Sequence, residues 1–88
     1  MNYGLVAASN APPYPSPCEL YTTPGCRHCV KAKGVLHSRG ISFQEKDVSC
    51  SPLYLAELSM RGAGSSMPQI FVGGQLVGGC DDMLRELR

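Results

Sequence analysis

At 88 residues the chain has room for one domain and a modest hydrophobic core. Its 43% hydrophobic content is that of a globular protein, and no apolar run is long enough to span a membrane. A net charge of +1 gives no basic surface for nucleic acid or for an anionic membrane.

Residues 1–17 differ from the rest. Four of the seven prolines fall there, in Ala11-Pro12-Pro13-Tyr14-Pro15-Ser16-Pro17, with no charged side chain. The stretch has no basic start and only a short apolar patch, Leu5-Val6-Ala7-Ala8, so it does not read as a secretory signal. A flexible or polyproline-type tail is expected, with a proline-rich ligand for a partner domain as the sharper alternative. Free cysteines without a secretory signal point to a reducing compartment, and a cytoplasmic protein is expected.

From Cys18 the elements follow in order. Cys18 to Thr23 reads as a buried strand, and Pro24-Gly25 turns the chain. Cys26 to Ser38 reads as a helix, with Cys29, Ala32, Val35 and Leu36 on one face and Gly40 as a left-handed cap. Ile41 to Val48 suits a second strand, parallel to the first through a right-handed crossover. Ser49-Cys50-Ser51-Pro52 supplies a hydroxyl cap and a first-turn proline for a helix over Leu53 to Arg61. Leu53, Ala56 and Met60 share a face of that helix, and Gly62 to Ser66 is a loop. Pro68 to Val72 and Gln75 to Val77 form a hairpin about Gly73-Gly74. Gly78-Gly79 leads into a last helix, Cys80 to Arg88, whose Asp81 and Asp82 suit its positive end. The predicted fold class is α/β: a four-stranded mixed sheet with helices on both faces, the thioredoxin-like arrangement.

The chemistry centres on Cys26-Arg27-His28-Cys29, two cysteines a helical turn apart straight after a strand. The free N–H groups and positive dipole at a helix start stabilise an anion. A thiolate is one, so Cys26 is the expected nucleophile and Cys29 its more buried disulfide partner. A structural zinc site needs two further ligands at close spacing, but Cys18, Cys50 and Cys80 are scattered and His28 and His37 lack ligand spacing. A passive disulfide of a secreted domain fits poorly with five cysteines. A redox motif remains.

Three motifs now coincide: Thr22-Thr23-Pro24-Gly25-Cys26-Arg27-His28-Cys29-Val30-Lys31-Ala32-Lys33, Met67-Pro68-Gln69-Ile70-Phe71-Val72-Gly73-Gly74 and Gly78-Gly79-Cys80-Asp81-Asp82. In this order the chain resembles a dithiol glutaredoxin over Cys18 to Arg88, which implies a glutaredoxin domain at 18–88. By that resemblance Cys26 is the nucleophile, Cys29 the resolving cysteine and Pro68 a cis-proline. Met67 would pair with the glutathione backbone in the manner of an added strand. Cys80, Asp81 and Asp82 would hold its γ-glutamyl end, Asp82 taking the ammonium and the Asp81 and Asp82 amides the carboxylate. Thr23 and His28 complete the glutathione-binding set. Four positions depart from the family pattern: Arg27-His28 replaces Pro-Tyr, Thr23 replaces a lysine and Gly64 replaces an arginine. Arg27 or Arg61 would be the stand-ins for the lost cations.

The resemblance implies a glutathione-dependent thiol–disulfide oxidoreductase in cell redox homeostasis. Its partners would be glutathione, as co-substrate, and glutathionylated or disulfide-containing proteins; a monomer without metal, nucleic acid or membrane is expected. Two alternatives stand beside it. One is a redoxin fed by a thioredoxin reductase and serving ribonucleotide reductase, which the lost cations favour. The other is a scaffold or carrier holding a [2Fe-2S] cluster between two protomers. Cys18, Cys50 and Cys80 are expected to be core or near-core thiols.

Overall fold

The computed structural model describes residues 17–87. The expected tail lies outside the described residues except for Pro17, whose carbonyl accepts from the Gly73 amide at 2.9 Å. Seven elements follow one another: β1 (Cys18–Thr22), α1 (Arg27–Ser38), β2 (Gln44–Asp47), α2 (Pro52–Met60), β3 (Gln69–Val72), β4 (Gln75–Gly78) and α3 (Cys80–Glu86). The strands form one sheet in the order β2-β1-β3-β4. β1 pairs parallel with β2 and antiparallel with β3, and β3 pairs antiparallel with β4. The predicted element order and mixed sheet are those observed. No helix among the described residues is long and apolar enough to cross a membrane.

Alternation along β1 and β3 sends neighbouring side chains to opposite faces. Cys18, Leu20 and Ile70 face α1 and α3 and pack with Ala32, Leu36, Ile41, Cys80, Met83 and Leu87. Tyr21 and Phe71 face α2 and pack with Leu58, Tyr54 and Met67. β1 is covered on both faces, and its one charged residue, Glu19, is paired with Lys46 and Arg61.

Three expectations need correction. The second strand is shorter than Ile41 to Val48, because the Ile41 amide is spent elsewhere. It donates to the Leu36 carbonyl at 2.9 Å while the Gly40 amide donates to that of His37. This double closure of α1 needs positive φ at Gly40, which has 69°. On α2, Leu53, Ala56 and Met60 do share a face, but it is the outer one: Leu53 is 69% and Met60 89% exposed. The helix instead buries Leu58, and Glu57, its side chain 41% exposed, accepts from the Tyr21 hydroxyl. Cys50 is exposed rather than near-core, in the turn after β2 where its amide donates to the Asp47 carbonyl.

Beneath α2 lies a connected polar network. The buried Tyr21 hydroxyl donates to Glu57 Oε1 at 2.6 Å and accepts from Arg61 Nη1 at 2.8 Å. Arg61 also donates to both Glu19 oxygens, and its guanidinium lies 3.8 Å from the Phe71 ring centroid. Lys46 bridges Glu19 and Glu57. Arg61, with Lys46, holds the Glu19 carboxyl down at about 2.

A carboxyl depressed in the folded state stabilises the fold above its unfolded titration and loses that contribution as pH falls through its folded value. Glu19→Gln should therefore cost about 2 kcal/mol at pH 7, by loss of charge-assisted hydrogen bonds. The gap to wild type should close between about pH 4.5 and about pH 2. Urea unfolding at both ends of that range checks it, and a gap that stays constant would contradict the network.

Candidate active site

β1 stops at Thr22, and Pro24-Gly25 carry the chain into α1, so Cys26 is the helix's N-cap rather than a first-turn residue. Its Sγ accepts from the Cys29 amide at 3.1 Å, the position a serine or aspartate oxygen holds at an ordinary N-cap. An acceptor there is stabilised further when it carries negative charge. Cys26 is half-buried, and its thiol donates to the Met67 carbonyl at 3.7 Å. The Met67–Pro68 bond is cis, as the resemblance implies.

Cys29 is 1% exposed and stands one turn along α1. Burial, with the hydrogen bond it shares with Cys26, pushes its thiol up to about 11. Burial likewise raises the thiols of Cys18 and Cys80. Cys26 and Cys29 thus differ in exposure, and only Cys26 sits where a substrate sulfur can reach it.

Beside Cys26 runs an open groove of about 220 Å³, lined by His28, Ser66, Met67, Pro68, Gly79, Cys80, Asp81 and Asp82. Six of the seven predicted ligand-contacting residues therefore line one cleft, brought from α1, the loop before β3 and the start of α3. Thr23 does not: it is half-buried at the end of β1, where its backbone works against the rise at Cys29. One expectation about charge also changes, and Asp82 has partners of its own. Arg61 cannot replace the missing cations, because Glu19 and Tyr21 hold it beneath α2. Asp82 is already engaged: its Oδ2 accepts from the Gly79 amide at 3.0 Å and its Oδ1 pairs with Arg85. Neither lysine nor arginine is among the groove's lining residues.

Ser66 escaped the sequence reading. It is held by Gln69, only 7% exposed, whose Nε2 donates to the Ser66 carbonyl at 2.8 Å and to its hydroxyl at 3.3 Å. A glutamine opening a buried strand was the available signal, since a buried amide needs partners. Across the groove Gly78 has φ 124°, and a side chain there would collide with the Asp82 carboxylate.

A family profile for Glutaredoxin matches residues 18–77. The chain is 40% identical over 67 residues to a glutaredoxin of Pseudomonas aeruginosa, covering 76% of this chain and 80% of that one. The solution structure of a glutaredoxin from Brucella melitensis superposes with a TM-score of 0.65 at 41% identity, over 80% of this chain and 76% of that one. The glutaredoxin-like NrdH-redoxin of Escherichia coli, described as having a thioredoxin-like activity profile, superposes with a TM-score of 0.69 at 25% identity. That match covers 82% of this chain and 95% of that one.

Two outcomes follow from this geometry. Iodoacetamide at pH 7 should label Cys26 and Cys50, and Cys18, Cys29 and Cys80 at least about tenfold more slowly, by peptide mass spectrometry. Early label on Cys29 would contradict the assigned difference between the pair. Gly78→Ala should lower stability by about 1–3 kcal/mol in denaturant unfolding, and Gly78→Asn, which tolerates positive φ better, should not rescue it, because the collision with Asp82 remains.

Proposed function

The chain belongs to the glutaredoxin family, whose chemistry is thiol–disulfide exchange, and from that premise we propose a glutathione-dependent oxidoreductase working through Cys26 and Cys29. The observation that carries the reading is the Cys26 sulfur: accepting from a helix-start amide, half-exposed, and opening on the groove between the cis-proline loop and Gly79–Asp82.

The Cys26 thiolate attacks the glutathione sulfur of a glutathionylated substrate. A Cys26–glutathione disulfide forms, and the substrate leaves as its thiolate. A second glutathione thiolate attacks that mixed disulfide, freeing Cys26 and yielding oxidised glutathione. With a protein disulfide, Cys26 attacks one sulfur, the other leaves, and Cys29 displaces the product to close the Cys26–Cys29 bond. Two glutathiones then reduce that bond. The Cys29 amide stabilises Cys26 both as attacking and as leaving thiolate, so one hydrogen bond serves both directions. Cys29 stays a thiol until a disulfide is presented, which suits a resolving role.

In the groove, the backbone of Met67 pairs with the cysteinyl unit of glutathione, and Pro68 and His28 form its walls. The γ-glutamyl end lies against Cys80–Asp82, its carboxylate at the Asp81 and Asp82 amides. The ammonium approaches Asp82, where it shares the carboxylate with Arg85.

A second reading has its own support. A groove lined by two aspartates and no lysine or arginine gives a carboxylate-rich tripeptide little ionic help, and the fold is also that of the Escherichia coli NrdH-redoxin. On that reading a flavoprotein reductase supplies the electrons.

Glutathione-dependent reduction of a small mixed disulfide, coupled to glutathione reductase, separates the two. Wild-type turnover that Cys26→Ser abolishes, by at least about 10³-fold, and Cys29→Ser largely keeps, is the expected result. A wild type inert with glutathione, yet reduced by a thioredoxin reductase, sinks the glutathione reading in favour of the second.

A further inference from the structure

We propose that the outer face of α2, with the groove that joins it to the cis-proline loop, docks protein substrates by taking an extended, uncharged apolar segment beside their reactive cysteine. The proposal rests on Cys26 being the point of exchange, and it concerns where a protein substrate is held while it reacts there.

The outer face of α2 is unusual for a surface helix. A helix apolar all round is normally buried. The one charged residue of α2, Glu57, bonds Tyr21 and Lys46 through Oε1 at the edge of the helix while its side chain stays 41% exposed, and the rest of the solvent side is Pro52, Leu53, Leu55, Ala56, Ser59 and Met60. Among the described residues five large hydrophobics are exposed, and three of them, Leu53, Leu55 and Met60, lie on this one short helix. Scattered exposed leucines need no explanation, but three large apolar side chains clustered on one short helix mark an interaction surface.

The patch is continuous with the redox groove. Leu55, Leu58, Ser59 and Ala63 wall a second depression of about 330 Å³, which Gly62, Gly64 and Ser65 complete. The next two residues of the same loop, Ser66 and Met67, line the groove beside Cys26, and the Met67 carbonyl is the hydrogen-bond acceptor of its thiol. A substrate cysteine delivered to Cys26 therefore sends its neighbouring residues across Ser65–Met67 and into the apolar depression. The 220 Å³ groove suffices for a small thiol; only a longer chain reaches the second one. Because the second groove holds no ionic side chain, it selects apolar residues and opposes charged ones, whose desolvation nothing there repays.

The test compares wild type with the triple variant Leu53→Glu, Leu55→Glu, Met60→Glu. All three side chains are exposed in the folded protein, and unchanged circular dichroism and thermal melting establish that the fold persists. The substrates are glutathionylated bovine serum albumin and the cysteine–glutathione disulfide in the coupled assay. Reduction of insulin by the pre-reduced protein, in a single turnover without glutathione, is the third arm. The expected result is a loss of about tenfold or more in rate with albumin and insulin, through KM, and a change under about twofold with the small disulfide. Equal losses on all three, or none on any, overturn the proposal. Wild-type sedimentation as a dimer that the variant converts to a monomer also overturns it, since the face then belongs to a second copy. If glutathione turnover fails altogether, the insulin arm still reads docking, so the two failures are distinguishable.

Discussion

The hydrogen bond from the Cys29 amide to the Cys26 sulfur organises the redox end of the molecule. It exists only because β1 ends at Thr22 and α1 begins at Arg27, leaving four residues to turn the chain and place a sulfur over the first helical turn. That in turn requires β1 to be fixed on both faces, by Leu20 against α1 and α3 and by Tyr21 against α2. An amide at a helix start that would otherwise be unpaired is satisfied by sulfur, so the helix cap and the site proposed for exchange are one interaction. The second cysteine gains the opposite property from the same geometry: one turn further in, it is enclosed by the core, and enclosure favours its neutral thiol.

The opposite face of the sheet solves a different problem. Tyr21 is the largest fully buried side chain, and its hydroxyl cannot be left without partners. Glu57, Arg61 and Lys46 supply them, and Glu19 balances the two cations. Arg61 covers Phe71 with its guanidinium plane, so one residue serves as both ion-pair partner and lid over an aromatic ring. Removing any one member would strand others in a half-buried place, which is why such networks act as units. This commitment explains why Arg61, close in sequence to the cis-proline loop, is not a groove residue.

Much of this was legible in the chain. β1, α1 and the Gly73–Gly74 hairpin were readable because apolar period, turn residues and caps agree there. The motifs that meet in the groove were readable because each is a contiguous backbone segment whose place follows from the topology. The inner face of α2 was not. Choosing Leu53, Ala56 and Met60 assumed that apolar residues point inward, whereas Leu58 alone is buried and the neighbouring Glu57 serves the hydroxyl of a buried tyrosine on β1. The length of β2 was hidden for a related reason, since the cap of α1 takes an amide that the ladder would otherwise use. Ser66 and the shielding of Thr23 depend on side chains meeting across the fold, which no periodicity encodes.

These facts share a physical pattern. The nine residues of α2 bury only Leu58 and leave Leu53, Leu55 and Met60 exposed, so hydrogen bonds and caps carry much of what holds the helix. Ser51 closes its start, accepting from the Leu53 amide, and the Ala63 and Gly62 amides close its end. The loop leaving that closed end is then gripped by Gln69 at Ser66 before it delivers Met67 to Cys26. The surface most apolar in character is thus attached, through a short and tethered loop, to the acceptor of the reactive thiol. A fold under selection for stability alone gains nothing by exposing Leu53 and Met60 while tying down the loop beside them; a fold that must recognise what it reacts with gains from both.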